Sequence, residues 1–164
     1  MPVRLAVVVA SAAILFSRCG GDTPTSSASS ASAETAQCTA SLWSHVYDPG
    51  RLKVVGECRT VTGVITDHHQ NEDGDIDVRL ALDAPYADLV NGGNKASLNG
   101  HLQTEAICQA PIQAAEAAPA CRGFSGSVLI PADGTHVRIT GSYVLDTHHG
   151  WMEIHPISVL SVIP

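Results

Sequence analysis

Near its C-terminus the chain reads Asp146-Thr-His-His149-Gly-Trp151-Met-Glu153-Ile-His155-Pro156. An extended backbone puts side chains i, i+2 and i+4 on one face, so Trp151, Glu153 and His155 project together while Met152 and Ile154 take the other face. Asp146 and His149 fall in the turn just before them. An aromatic surface flanked by a carboxylate and an imidazole suits a polar ligand or a positioned water, and His149, Glu153 and His155 are the residue types that hold a divalent metal. The simpler expectation is structural. Glu153 and His155 would bond to each other or to backbone, Trp151 would fill the end of a barrel, and Pro156 would end local pairing. No cofactor is predicted beyond an optional divalent metal.

Asp73-Gly-Asp75-Ile-Asp77 places three carboxylates in a turn and the start of a strand. The spacing and the missing downstream acid fail the calcium pattern of an EF-hand. The segment resembles the Asp-Gly-Asp hairpin of thermonuclease, an OB-fold enzyme, with Arg79 and Asp83-Ala-Pro85 echoing the residues that come after the hairpin in that enzyme. The echo breaks at Tyr86, where that family has an acidic residue, and paired acids on a solvated hairpin are the plainer expectation. No Gly-x-Ser-x-Gly elbow and no phosphate-cradling glycine loop occurs. His68-His69 and His148-His149 are adjacent pairs, and neighbours on a strand point to opposite faces, so most histidines are expected to be solvated. The formal net charge is −7, and aromatics amount to 4% of residues. That acidity repels nucleic acid and leaves few stacking platforms, so no nucleic-acid partner is expected.

The elements that must position these residues are strands. Asp75 to Asp83 alternates, with Ile76, Val78, Leu80 and Leu82 on one face and mostly charged residues on the other, which predicts a strand half-buried on one face. Cys58 to Asp67 is β-branched and forms a hairpin with it across Asn71–Asp75. Asn91-Gly-Gly-Asn94 and Asn99-Gly100 predict turns, followed by a third strand over 101–108. An Ala-rich stretch to Ala120 has room for a helical turn, and strands over 136–146 and 151–163 complete the set. Five strands, a helix slot between the third and fourth, and glycines inside the first and fourth (Gly63, Gly141) predict a mainly β fold, a small five-stranded OB-like β-barrel. A β-sandwich is the alternative.

The same sequence carries an address. Leu5 to Phe16 is apolar but too short to span a hydrocarbon core that needs about 20 residues, so residues 1–18 read as a signal peptide of lipoprotein type. Ser17-Arg-Cys19-Gly-Gly resembles a bacterial lipobox, which implies lipid attachment at Cys19; Arg18 is unusual in that motif, and a soluble secreted protein is the alternative. Residues 19–37 hold no large apolar side chain and read as a disordered Ser/Ala/Thr-rich tether. The domain would then span 38–164. Export into an oxidising compartment makes Cys38, Cys58, Cys108 and Cys121 candidates for two disulfides, expected as Cys38–Cys58 and Cys108–Cys121 from their proximity in sequence.

Two stretches, His45-Val-Tyr-Asp-Pro-Gly-Arg-Leu52 with Val61–Ile65 and Asp73-Gly-Asp75, and Gly141 to Pro156, resemble a family of exported bacterial OB-fold-like proteins of uncharacterised function with a C-terminal His-Gly-Trp-x-Glu-Ile-His-Pro motif. The resemblance implies the fold and leaves the activity open. The expectation is an extracytoplasmic, membrane-anchored binding or structural module. Its partners would be the membrane, through the lipid, and an envelope protein or a small ligand. A metal-dependent hydrolase on the same barrel, nuclease-like in its acids, is the alternative.

Overall fold

A computed structural model describes Cys38 and residues 40–164. The expected signal segment, Cys19 and the tether lie outside the described residues. Five strands dominate: β1 (Leu52–Gln70), β2 (Ile76–Leu82), β3 (Leu102–Ala106), β4 (His136–Asp146) and β5 (Met152–Val162). Helices among the described residues are short, namely α1 (Ala40–Trp43), α2 (Gly92–Ser97) and α3 (Ala118–Cys121), with single 3-10 turns between them. No described helix is long and apolar enough to cross a membrane.

The strands hydrogen-bond in the order β1-β2-β3-β5-β4, and β4 returns to β1, so one sheet closes into a ring where a sandwich would have two. β1 is long enough to serve both ends: Leu52 to Val64 pairs with β4, and Gly63 to Gln70 pairs with β2. The single parallel contact joins β3 to β5 through Gln103–Glu153 and Thr104–Ile154. The 136–146 and 151–163 expectations agree closely with β4 and β5, whereas β1 starts six residues before the expected Cys58. Pro156 does not end the pairing. It sits where the β4–β5 register shifts between Gly141 and Tyr143, and β5 continues to Val162. Gly141 is required there, because a Cβ would stand 2.3 Å from the Pro156 carbonyl oxygen.

Alternation sorts the two faces as expected. Val61, Ile65, Val78, Leu80, Leu102, Ala106, Val137, Ile139, Ile154 and Ile157 fill the ring's interior. The outer face is not left to solvent: all five residues of β3 are buried, as are the first six of β5, while β2, expected to be half-buried, buries Asp77 on that face and leaves Arg79 and Ala81 partly exposed. A second layer covers it, with Val46, Leu52, Ile107 and Val144 buried against Leu42, Trp43 and Phe124. Two disulfides bind that layer down, Cys38–Cys58 and Cys108–Cys121, the pairs expected from the sequence.

The Asn91–Asn94 segment, expected as a turn, opens helix α2 instead. Asn91 and Asn94 cap each other's backbone N–H reciprocally, which satisfies donors a helix start leaves open. Asn94 is fully buried, donating to the carbonyls of His101 (3.1 Å) and Met152 (2.8 Å) and accepting from Met152 N–H (2.9 Å). That side chain holds α2 against the start of β5, next to Trp151.

Candidate functional site: a polar cluster beneath the outer layer

The outward-facing residues of β2, β3 and β5 are polar where they meet. Asp77 lies across from Glu105, Gln103 beside Glu153, and His155 follows Glu153 on the same face. Asp75 precedes Asp77 by two positions and adopts the same side. Asp75, Asp77, Glu105, Asp146 and Glu153 are buried, and His155 is fully so. Isolated charges in such surroundings are strongly disfavoured, so partners decide what each group does.

His155 is the centre. Its Nδ1 lies 2.8 Å from Glu105 Oε2 and 3.3 Å from Glu153 Oε1, while its Nε2 stands 3.9 Å from Asp75 Oδ2. Burial pulls the imidazole pKa down, but the charge and hydrogen bond of Glu105, then those of Glu153, raise it to about 10. In return His155, with Arg51, holds Glu105 below the usual carboxylate range although burial alone would raise it. Burial raises Glu153. It lifts Asp75 to about 7, reinforced by the Asp73 charge and opposed by the Cys108 N–H, and lifts Asp77 to about 8, reinforced by Glu105.

Arg51 enters from the turn before β1. It pairs closely with Asp146 and reaches Glu105 (3.8 Å) and Glu153 (4.0 Å). Its own pKa rises, because those three carboxylates outweigh the effect of burial. Asp146, at the end of β4, also accepts from the backbone N–H groups of His148 (2.7 Å) and His149 (3.1 Å). Those bonds and His149 Nδ1, 2.8 Å away, hold it low despite burial.

Asp75 is buried because a strap closes over its turn. Ala110 N–H donates to Gly74 O (2.8 Å), Gln113 and Ala114 N–H donate to Glu72 O (2.7 and 2.8 Å), and Cys108 N–H donates to Asp75 Oδ1 (2.7 Å). Gly74 has φ 94°, and a Cβ there would stand 2.8 Å from Ile112 Cγ1, so only glycine permits the approach. The expected solvated hairpin of paired acids is therefore a covered one.

A cleft of about 470 Å³ opens onto the cluster, with Tyr47, Trp151, Asp73, Asp77, Arg51 and Glu105 among the residues that line it. Trp151 is part of its wall instead of plugging the ring's end. The indole donates to Glu153 Oε2 (3.0 Å) and stacks on His149, ring centroids 4.2 Å apart and nearly parallel at 3°. Of the residues singled out in the sequence, Glu153 and His155 thus come together in the interior. Asp146, His149 and Trp151 sit at the rim. His149 turns to Asp146, and among the described residues His149, Glu153 and His155 do not gather their donor atoms into one metal-holding group. The nuclease-like set does not assemble either: Arg79 pairs with Asp67 at 3.1 Å, and Asp83 faces Thr62 and His136.

Sequence reasoning passed over Arg51, Gln103 and Glu105. A signal existed: Gln103 and Glu105 repeat on β3 the i, i+2 polar spacing that Glu153 and His155 show on β5, and two such pairs on strands of one apolar sheet mark a shared polar face. No family model matches the chain, and no curated protein matches it significantly.

Proposed function

We propose that this chain is an extracytoplasmic, lipid-anchored binding module, held to a bacterial membrane through Cys19 and the 19–37 tether. Its domain is an OB-like β-barrel whose outer cleft takes a small organic ligand bearing an ammonium group. The strand order β1-β2-β3-β5-β4, with β1 shared between both ends and short helices between β3 and β4, supports the OB-like reading. The motif carried by residues 141–156 supports kinship with exported OB-fold-like proteins.

One observation carries the ligand class. The cleft is walled by the aromatic rings of Tyr47 and Trp151 and by Asp48, Asp73, Asp77 and Glu105. Arg51 is already committed to Asp146, Glu105 and Glu153. A small cation with an apolar body satisfies both kinds of wall, through charge pairing and contact with an aromatic surface. An anion would meet the Asp48 and Asp73 carboxylates, while the two guanidinium groups of the lining, Arg51 and Arg79, are already held by Asp146 and Asp67.

The test is tryptophan fluorescence of the intact protein in detergent, titrated with spermidine and choline, and with citrate as the anionic control. Saturable change with an ammonium probe, absent with citrate and lost in Trp151→Phe, is the expected result. Response to citrate alone would overturn the ligand class. For the anchor, palmitate-analogue labelling that disappears in Cys19→Ala is expected, and unchanged labelling would refute it.

A further inference from the structure

Behind the cleft wall, two buried polar atoms face each other with nothing between them. His155 Nε2 and Asp75 Oδ2 have no hydrogen-bond partner, and their residues are 0% and 2% exposed. They stand 3.9 Å apart, too far for a direct hydrogen bond. Leaving such groups unsatisfied disfavours the fold, more so when they are charged, which points to a bridging group.

The separation suits a metal ion. Tetrahedral zinc holds imidazole nitrogen and carboxylate oxygen each at about 2.0–2.2 Å, which puts two donors about 3.4 Å apart, so a closing shift of about half an ångström brings this pair onto one ion. One donor atom from each of Asp75, Glu105 and His155 lies within 4.8 Å of the others. The imidazole is oriented for ligation: Nδ1 faces Glu105 and Glu153, carboxylate partners of the kind that orient a ligating histidine, and Nε2, whose proton the ion would displace, faces Asp75. The charge points the same way. Among the described residues, Arg51 and the His155 imidazole face the five buried carboxylates, with His69 on Asp77 and His149 on Asp146, and none of the Arg51 ion pairs reaches Asp75 or Asp77, so acids outnumber cations in the cluster.

We propose that Asp75 and His155 hold a divalent first-row ion of the zinc type through Asp75 Oδ2 and His155 Nε2, with Glu105 the carboxylate that orients the imidazole from Nδ1. An imidazole nitrogen beside a carboxylate favours zinc or cobalt over calcium, magnesium or manganese, which prefer oxygen. Glu105 also lines the cleft, which gives the ion a path from solvent. Cys108 and Cys121 lie close to Asp75 but are bonded to each other and have no thiolate to offer. This site goes beyond the ammonium cleft: it would persist if no organic ligand bound, and the spermidine titration can succeed without it.

The experiment uses the intact protein, stripped with chelator, then given Zn²⁺ for thermal unfolding and Co²⁺ for visible absorption. One Co²⁺ per chain with a d–d band is expected, together with a Tm rise of about 10 °C at a hundredfold excess of Zn²⁺ over Kd. Both signals should vanish in Asp75→Asn, a variant that keeps the oxygen accepting from Cys108 N–H and so should fold. They should survive in His136→Ala, which removes a partly exposed imidazole outside the cleft. If the stripped wild type shows neither band nor shift, the gap holds water and the proposal fails. It fails equally if Asp75→Asn retains the band, or if His136→Ala abolishes it, since the ion then sits at the surface.

Discussion

Two histidine–carboxylate pairs in the molecule share almost the same distance. His155 Nδ1 is 2.8 Å from Glu105 Oε2, and His136 Nε2 is 2.9 Å from Asp83 Oδ2. The first pair is closed off, its side chains 1% and 6% exposed, while the second has about a third of each side chain in water, 34% and 36%. Identical chemistry at one distance therefore has two consequences. Water screens the outer pair, whereas the inner one must be held with every neighbour arranged around it. The contrast locates the polar information of this fold in the layer between the ring and its outer cover.

The largest test removes the inner cluster's fixed cation. Arg51→Met leaves Asp146, Glu105 and Glu153 without their guanidinium and should lower stability in urea by about 3 kcal/mol or more. A loss under about 1 kcal/mol would mean those carboxylates are neutralised some other way, which breaks the comparison. Next comes the cover. Replacing Cys108 and Cys121 together by alanine should cost about 3 kcal/mol in the chain-entropy account of a loop this short. Hydrogen exchange should then quicken at the Cys108 and Ala110 amides, which bond to Asp75 and Gly74. Unchanged protection there would show that the strap holds without its bridge.

Gly74→Ala forces a side chain into a left-handed backbone position against Ile112 and is expected to destabilise by about 1–3 kcal/mol, read by thermal unfolding. The smallest effect belongs to the outer pair. Hydrogen bonding to Asp83, then to the Pro164 carbonyl, raises the His136 pKa, so its slight stabilisation is present below the unfolded value near 6.5 and fades as pH climbs through the folded one. Asp83 is held low by Thr62 and then by His136, so its share appears above the unfolded carboxylate value and is lost as pH falls through the folded one. An NMR titration should show the His136 pKa drop in Asp83→Asn with no measurable change in Tm. A large Tm change would mean that the two pairs differ less than their exposure suggests.

The strands, their faces and the cysteine pairs were legible because they are local. Period-two alternation places Val78 and Leu80 inward and Asp77 outward whatever the rest of the chain does, and short sequence separations bring Cys38 to Cys58 and Cys108 to Cys121. Asn91-Gly-Gly-Asn94 misled because the same residues favour a turn and cap a helix, and the choice rests on Asn94 reaching Met152, 58 residues away.

By itself, the sequence determined a mainly β chain with Glu153, His155 and Trp151 on one face of its last strand. Only the tertiary structure decided that this face is covered, that Glu105 and Arg51 come from β3 and the turn before β1 to meet it, and that Asp75 lies under a strap with His155 across a 3.9 Å gap. The physical reason is range. Alternation says which side of a strand a residue takes, but whether that side meets water depends on chain distant in sequence, and so does every partner a buried charge must find.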